Sequence, residues 1–90
     1  IPNEIVLEQN YPNPFNPSTK IKFALTETQN VELKVYDILG NEIAVLFNET
    51  AEGGKVYELE FNASTLSSGI YFYRLKSRDR EENRKMLFLK

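Results

Sequence analysis

Short stretches in which apolar and polar residues alternate place the strongest constraint on the fold of this chain. Ile21, Phe23 and Leu25 alternate with Lys20 and Lys22, and the same period of two returns in residues 31–35 and 57–61. A period of two sets one row of side chains against a core and the other in water, as in antiparallel strands, whereas an amphipathic helix repeats every 3.6 residues. The chain is therefore predicted to be all-β.

Seven such segments are separated by residues that favour turns. We predict strands over residues 4–9, 19–25, 31–37, 42–47, 55–61, 69–76 and 84–90. Short strands at a spacing of about 8–12 residues are typical of a sandwich or barrel. Residues 43–47 could also begin a helix, but the segment is short and contains β-branched residues, which favours a strand. A length of 90 residues indicates a single domain over 1–90.

Two segments carry finer signals. Residues 11–17 contain three prolines, each of which fixes its own φ and favours extended geometry in the residue before it, so we expect a rigid connector that is not helical. Tyr71 lies early in the sixth predicted strand, after Leu66 and Gly69. This order matches the tyrosine corner of immunoglobulin-like sandwiches, in which the phenol bonds to backbone in the preceding loop.

The absence of certain residue types excludes most catalytic chemistry. The chain has no cysteine and no histidine, so it cannot form disulfides, thiolate or imidazole metal sites, or a Ser-His-Asp arrangement of its own. Glu58 and Glu60 point the same way from one strand, but the apolar residues between them indicate that this is a solvated outer face. We predict a protein that is not an enzyme and has no metal site and no cofactor.

Charge is divided unevenly along the chain. Residues 1–73 carry four basic and ten acidic residues, whereas residues 74–90 carry seven basic and three acidic ones. The acidic body disfavours nucleic acid, and no apolar run approaches the roughly 20 residues of a membrane helix, so we expect no direct membrane insertion. The basic end is either an edge hairpin protected by charge or a docking hairpin for an acidic or sheet-forming partner.

The last predicted strand is apolar on both faces over residues 86–89. Such a strand is either covered on both sides or open to a partner, and an open edge would permit weak self-association. The chain also begins with Ile1 and has no signal-peptide pattern. We therefore expect it to be a fragment or a processed product of a larger protein.

Four segments together resemble a known family. They read LEQNYPNPFNPST at residues 7–19, VYDILG at 35–40, LSSGIYFYRL at 66–75 and KMLFLK at 85–90. They are similar to the type A C-terminal sorting domain of proteins exported by the type IX secretion system. The resemblance covers nearly the whole chain and implies an immunoglobulin-like, seven-stranded antiparallel β-sandwich, in agreement with the strand count.

The resemblance also implies a function. Members are C-terminal secretion signals in Gram-negative bacteria of the Bacteroidetes group, read at the outer-membrane translocon. They are then usually removed by a sortase-like protease, and the cargo is anchored to a surface lipopolysaccharide. We accordingly expect export through the periplasm to the outer-membrane surface or the medium, with cleavage near Ile1 or outside this chain. The residues that carry recognition by this resemblance are Pro12, Asn13, Pro14, Gly69, Tyr71, Lys85, Met86 and Lys90.

Two alternatives remain open from the sequence. The immunoglobulin-like domain of flagellar hook-assembly proteins shares the fold and a similar opening, and an accessory binding sandwich of a secreted enzyme would fit a shallow exposed aromatic groove. The closing segment at residues 85–90 favours secretion. Deletion of residues 86–90 is expected to block export of a fused reporter and leave the domain folded, unless the last strand belongs to the core.

Overall fold

The computed structural model describes residues 4–90, which form seven strands and no helix. The strands are β1 Ile5–Leu7, β2 Ser18–Leu25, β3 Gln29–Tyr36, β4 Glu42–Ala51, β5 Val56–Asn62, β6 Gly69–Lys76 and β7 Glu81–Phe88. They pair into a three-stranded sheet in the order β1-β2-β5 and a four-stranded sheet in the order β4-β3-β6-β7. All of the pairings are antiparallel. The predicted seven-stranded antiparallel sandwich is confirmed.

The alternation of the sequence builds the core between the two sheets. In β2, Ile21, Phe23 and Leu25 are buried, while Lys20 and Lys22 lie in water on the outer face. The four-stranded sheet adds inward rows from its own strands, among them Val31, Leu33, Val35, Tyr71, Tyr73, Leu75, Met86 and Phe88. Burial of these facing rows is the main favourable contribution to folding.

The strand order is immunoglobulin-like, with one variation. In the constant-type arrangement the fourth strand belongs to the same sheet as the first, second and fifth strands, whereas here β4 pairs with β3 in the other sheet. The predicted tyrosine corner is present at the start of β6, where the Tyr71 hydroxyl donates a hydrogen bond of 2.6 Å to the Ser67 carbonyl. Leu66, directly before Ser67 in this loop, packs against the core.

The apolar run 43–47 is a strand, as predicted, and β4 extends to Ala51. Its register with β3 shifts twice, so that Ile43 and Leu46 each stand opposite no residue of β3. Such bulges bend a strand and increase its local twist, and they are common at sheet edges. The bulges explain why strict alternation is lost in this part of the sequence.

The bounds of β7 and β1 also differ from the prediction. β7 begins at Glu81 instead of residue 84, because Ser77 closes a tight turn: its N–H donates to the Arg80 carbonyl at 2.8 Å, and its hydroxyl accepts from the Arg80 N–H at 3.1 Å. The charged residues after this turn are exposed, so strand pairing leaves them in water. β1 is shorter than predicted and ends at Leu7. The described part of the chain contains no helix long and apolar enough to cross a membrane.

Candidate recognition surface

The connector, residues 11–17, lies along the outer edge of β7. The Phe15 N–H donates to the Leu87 carbonyl at 3.0 Å, and the Phe15 carbonyl accepts from the Leu89 N–H at 3.1 Å. The Asn13 Oδ1 accepts a further hydrogen bond of 3.0 Å from the Leu87 N–H. Two segments more than 70 residues apart in sequence are thereby joined into one surface.

Phe15 anchors the connector in the core. Its ring is buried, stacks on Phe88 with ring centroids 5.2 Å apart, and meets the edge of Phe61 at 6.2 Å. Aromatic contacts of this kind add about 0.5–1.5 kcal/mol per pair to the effect of burial. The exposed residues on either side of Phe15 are therefore held in a fixed position against β7.

A buried polar network fixes the chain just before the connector. The Asn10 N–H donates to the Tyr73 hydroxyl at 2.8 Å, and that hydroxyl donates to the Glu8 carbonyl at 2.7 Å. The Asn10 side-chain amide donates to Thr19 Oγ1 at 3.0 Å, and Thr19 donates to the Pro12 carbonyl at 2.8 Å. No buried side-chain nitrogen or oxygen within residues 4–90 lacks a hydrogen-bond partner.

The phenol at the centre of this network is strongly perturbed. Burial raises the pKa of Tyr73 to about 12, although the hydrogen bond from Asn10 and the charge of the Arg84 guanidinium both act in the opposite direction. A phenol in this environment stays protonated and keeps donating to backbone. Its role is structural: it ties β6 to the chain that leads into the connector.

Side chains close the remaining gap between β1 and β7. The Gln9 side-chain amide donates to the Lys85 carbonyl at 2.8 Å, and the Arg84 Nε donates to the Leu7 carbonyl at 2.8 Å. Asn10, Thr19 and Gln9 were not among the residues predicted for the site. The one sequence signal for these residues was their position in or beside the Asn-Tyr-Pro-Asn-Pro motif, since a simple linker would need no fixed polar residue next to its prolines.

The structure brings the predicted recognition residues to one corner of the sandwich. Pro12, Asn13 and Pro14 are exposed on the connector, and Lys85 and Lys90 are exposed at the end of the chain beside it. Asn13 and Lys85 line a shallow depression of about 200 Å³ together with Ile70, Met86 and Leu87. The Lys90 N–H donates to Ser68 Oγ at 2.9 Å, which fixes the last residue against the loop before β6.

Three of the predicted residues shape this corner from inside. Met86 is 1% exposed and faces the core, and the buried ring of Tyr71 forms the tyrosine corner. Gly69 has a φ of +154°, a conformation that residues with a side chain rarely adopt. We therefore place them among the residues that hold the exposed corner in position.

The connector covers the edge of β7 near its end, where the sequence allowed either a covered or an open strand. The outward backbone groups of Leu87 and Leu89 bond to the connector, while Met86 and Phe88 face the core. Self-association through this part of the strand would have to displace the connector, because the Leu87 N–H and carbonyl and the Leu89 N–H already bond to it. The inner face of this segment is packed in the core, whereas Leu89 remains 48% exposed.

The basic end is only partly available for contact. The Arg74 guanidinium lies 4.8 Å from the centre of the Tyr36 ring, and its Nε is 3.6 Å from a Glu81 carboxylate oxygen. Arg84 is held by the Leu7 carbonyl. The other five cations of residues 74–90 are exposed and form no ion pair with another described residue; they are Lys76, Arg78, Arg80, Lys85 and Lys90.

Comparison with known proteins identifies the family. The family model of the secretion system C-terminal sorting domain matches residues 9–89. The chain belongs to this family. A sorting domain of this kind acts as a secretion signal for export across the outer membrane, which agrees with a role that is not catalytic. Within the described residues, no cluster of three or more acidic side chains is placed to hold a metal ion.

A solved structure shares the fold of this sorting domain. The crystal structure of dimeric latent PorU from Porphyromonas gingivalis matches it with a TM-score of 0.71 at 18% sequence identity. The match covers 99% of this chain and 10% of that one, so the sorting domain spans about a tenth of the length of that protein. At this level of identity the likeness shows the fold. A comparison with curated proteins finds no match.

Proposed function

We propose that this sorting domain is a folded address, read by the type IX outer-membrane translocon through the corner formed by the connector and the end of β7, and then removed by a sortase-like protease. The observation that carries the proposal is the convergence of two distant segments on one exposed, rigid corner. Both segments contain the residues that match the family motifs. A signal read by a machine requires a defined surface and no reactive cleft, and this corner offers such a surface.

The chemistry of the corner suits recognition by a protein. Pro12, Asn13 and Pro14 present a stretch whose backbone is held by Phe15 on one side and the Asn10 network on the other. A segment that is already rigid loses little conformational freedom on binding, which favours affinity. Lys85 and Lys90 add positive charge beside it, which favours an acidic partner surface and faster encounter.

A deletion is a poor test of this proposal. Removing residues 86–90 takes two core side chains, Met86 and Phe88, out of the sandwich, since these are 1% and 0% exposed. Loss of a buried methionine or phenylalanine costs roughly 2–5 kcal/mol each, which approaches the whole stability of a small domain. We therefore expect the truncated domain to unfold, and the test should use exposed residues.

The test fuses a reporter to residues 1–90 in a bacterium that has a type IX system, with a translocon-deficient strain for comparison. We expect export only in the strain with the translocon. Neutralising Lys85 and Lys90 to glutamine should reduce export, whereas the matched change of Lys20 and Lys22 on the other sheet should not. Equal export in both strains would refute the proposed function.

Proteolytic removal is tested in the same strains. We expect the exported reporter to lose the sorting domain in a strain with the sortase-like protease and to keep it in a strain without one. Cleavage is expected near Ile1, which lies outside the described residues, or outside this chain, so the N-terminus of the released fragment should be sequenced. Retention of the domain in both strains would remove the protease from the proposal and leave the translocon part standing.

A further inference from the structure

A rigid turn at the end of β3 holds two large apolar side chains in water. Ile38 and Leu39 are 67% and 83% exposed. Asp37 Oδ1 accepts from the Leu39 and Asn41 N–H groups at 3.0 and 2.9 Å, and the Gly40 N–H donates to the Asp37 carbonyl at 3.0 Å. These hydrogen bonds, above all the one from the Asn41 N–H, hold the pKa of Asp37 below its usual value. Gly40 supplies the positive φ of +87° that the turn requires.

The turn adjoins an aromatic row on the outer face of the four-stranded sheet. Tyr36 pairs with Phe72, and Phe72 pairs with Lys85. Because neighbouring strands lie about 4.8 Å apart, Lys85 lies roughly 10 Å from Tyr36 across the sheet. A depression of about 410 Å³ is lined by Tyr36, Asp37, Ile38, Gly40, Phe72, Arg74 and Asn83. On the other side of Phe72 lies the smaller depression that contains Lys85 and Ile70.

The charge at the β7 side of this face favours an acidic occupant. Glu42 is paired with Lys34 at 3.0 Å and Glu81 with Arg74 at 3.6 Å, while the Asp37 carboxylate keeps its charge and bonds to the N–H groups of its own turn. Lys85 forms no ion pair with any other residue of the described range. The sequence from residue 74 onwards also carries an excess of four positive charges.

We propose that this outer face, from the tip of the Asp37 turn across Tyr36 and Phe72 to Lys85, binds an acidic polypeptide segment of the export machinery. The segment places apolar side chains on Ile38 and Leu39 and a carboxylate against Lys85. This inference rests on the proposed function and extends the recognition surface from the connector and β7 across β6 to the turn after β3. A turn stiffened by hydrogen bonds reduces the ordering cost of docking.

The test measures export of the reporter fused to the whole domain. We expect Ile38→Ser with Leu39→Ser to lower export about tenfold, as truncation of central interface contacts does. The matched control is Val6→Ser with Val56→Ser, two exposed valines on the outer face of the other sheet, and it should export normally. Lys85→Glu should lose export, and Lys85→Arg should retain it.

Thermal unfolding is measured for each variant, and midpoints within about 3 °C of the parent domain show that folding is intact. If the serine pair unfolds the domain, Leu39→Lys alone replaces it, since this side chain is almost fully exposed. Normal export of these turn variants would overturn the inference. That result leaves the proposed function standing, whereas failure to export the unaltered fusion would overturn the proposed function together with the inference.

Two further measurements distinguish other occupants. Purified domain is sedimented with vesicles of phosphatidylethanolamine and phosphatidylglycerol, and is examined for dimers by analytical ultracentrifugation. We expect neither vesicle binding nor dimer formation. Vesicle binding that Lys85→Glu abolishes would assign the face to a lipid surface and refute a polypeptide occupant. Dimers that the serine pair abolishes would assign it to a second copy of this chain.

Discussion

Two tyrosines on the same face of β6 allow a direct test of the hydrogen-bond network. Tyr71 and Tyr73 are two residues apart, and the hydroxyl of each donates a hydrogen bond to a backbone carbonyl. Replacing either with phenylalanine removes a single oxygen and keeps the ring in place. The two variants differ in how many partners they leave without a hydrogen bond, so a comparison of their stabilities isolates that difference.

The structure sets the expected magnitudes. Tyr71 makes one hydrogen bond, to the carbonyl of the exposed Ser67, and its loss should lower the free energy of unfolding by about 1 kcal/mol. Tyr73 is fully buried, donates to Glu8 and accepts from the buried Asn10 N–H. A buried group left unsatisfied costs about 1–3 kcal/mol, so we expect a loss of about 2–4 kcal/mol for Tyr73→Phe.

Urea unfolding followed by circular dichroism measures both losses. In a domain of this size each kcal/mol lowers the melting midpoint by about 4–8 °C, so thermal unfolding should rank the variants in the same order. Tyr11→Phe is the control, because Tyr11 is 80% exposed, and it should change stability by less than about 0.5 kcal/mol. If Tyr73→Phe destabilises the domain no more than Tyr71→Phe does, the argument from buried partners is refuted.

The same structure predicts a pH dependence and a packing effect. Since the pKa of Tyr73 is raised to about 12 in the folded protein, the unfolded chain loses this proton first, at about pH 10. The stability advantage of the parent over Tyr73→Phe should therefore shrink between pH 10 and 12; an advantage that stays constant would contradict this assignment. Phe15→Ala should lower the free energy of unfolding by about 3–5 kcal/mol, because it removes the ring that packs on Phe88 and Phe61. Asn16→Ala, at an exposed neighbouring position, should cost less than about 0.5 kcal/mol, and equal losses for the two in chemical denaturation would exclude Phe15 as the anchor.

Much of the fold was predictable from local pattern. Alternation at Ile21, Phe23 and Leu25 fixes which face of β2 is buried, because successive side chains of a strand point to opposite faces. Tyr71 and its preceding loop predicted the tyrosine corner correctly, since that contact spans only four residues. The resemblance to the family predicts Asn13 and Lys85 as recognition residues, and the structure places both beside one depression.

Other features of the site were not accessible from local pattern. Asn10 reads as a loop residue, yet it is buried because Tyr73, 63 positions away, bonds to its backbone. Met86 belongs to an apolar end that the sequence allows to be either covered or open to a partner, and the structure places it in the core. The exposed tip of the Asp37 turn falls between the strands predicted over residues 31–37 and 42–47, but the position of the turn beside Phe72 and Lys85 depends on the pairing of β3 with β6 and of β6 with β7.

The sequence by itself determined the secondary structure class, most strand positions and the absence of histidine and cysteine chemistry, since these depend on composition and on a period that each strand carries within itself. The tertiary structure alone decided that β4 joins the four-stranded sheet and that the connector closes the edge of β7. Strand partners are chosen by which arrangement buries the apolar faces and satisfies the backbone hydrogen bonds of the whole chain. That choice depends on residues far apart in sequence, as Phe15 and Phe88 are.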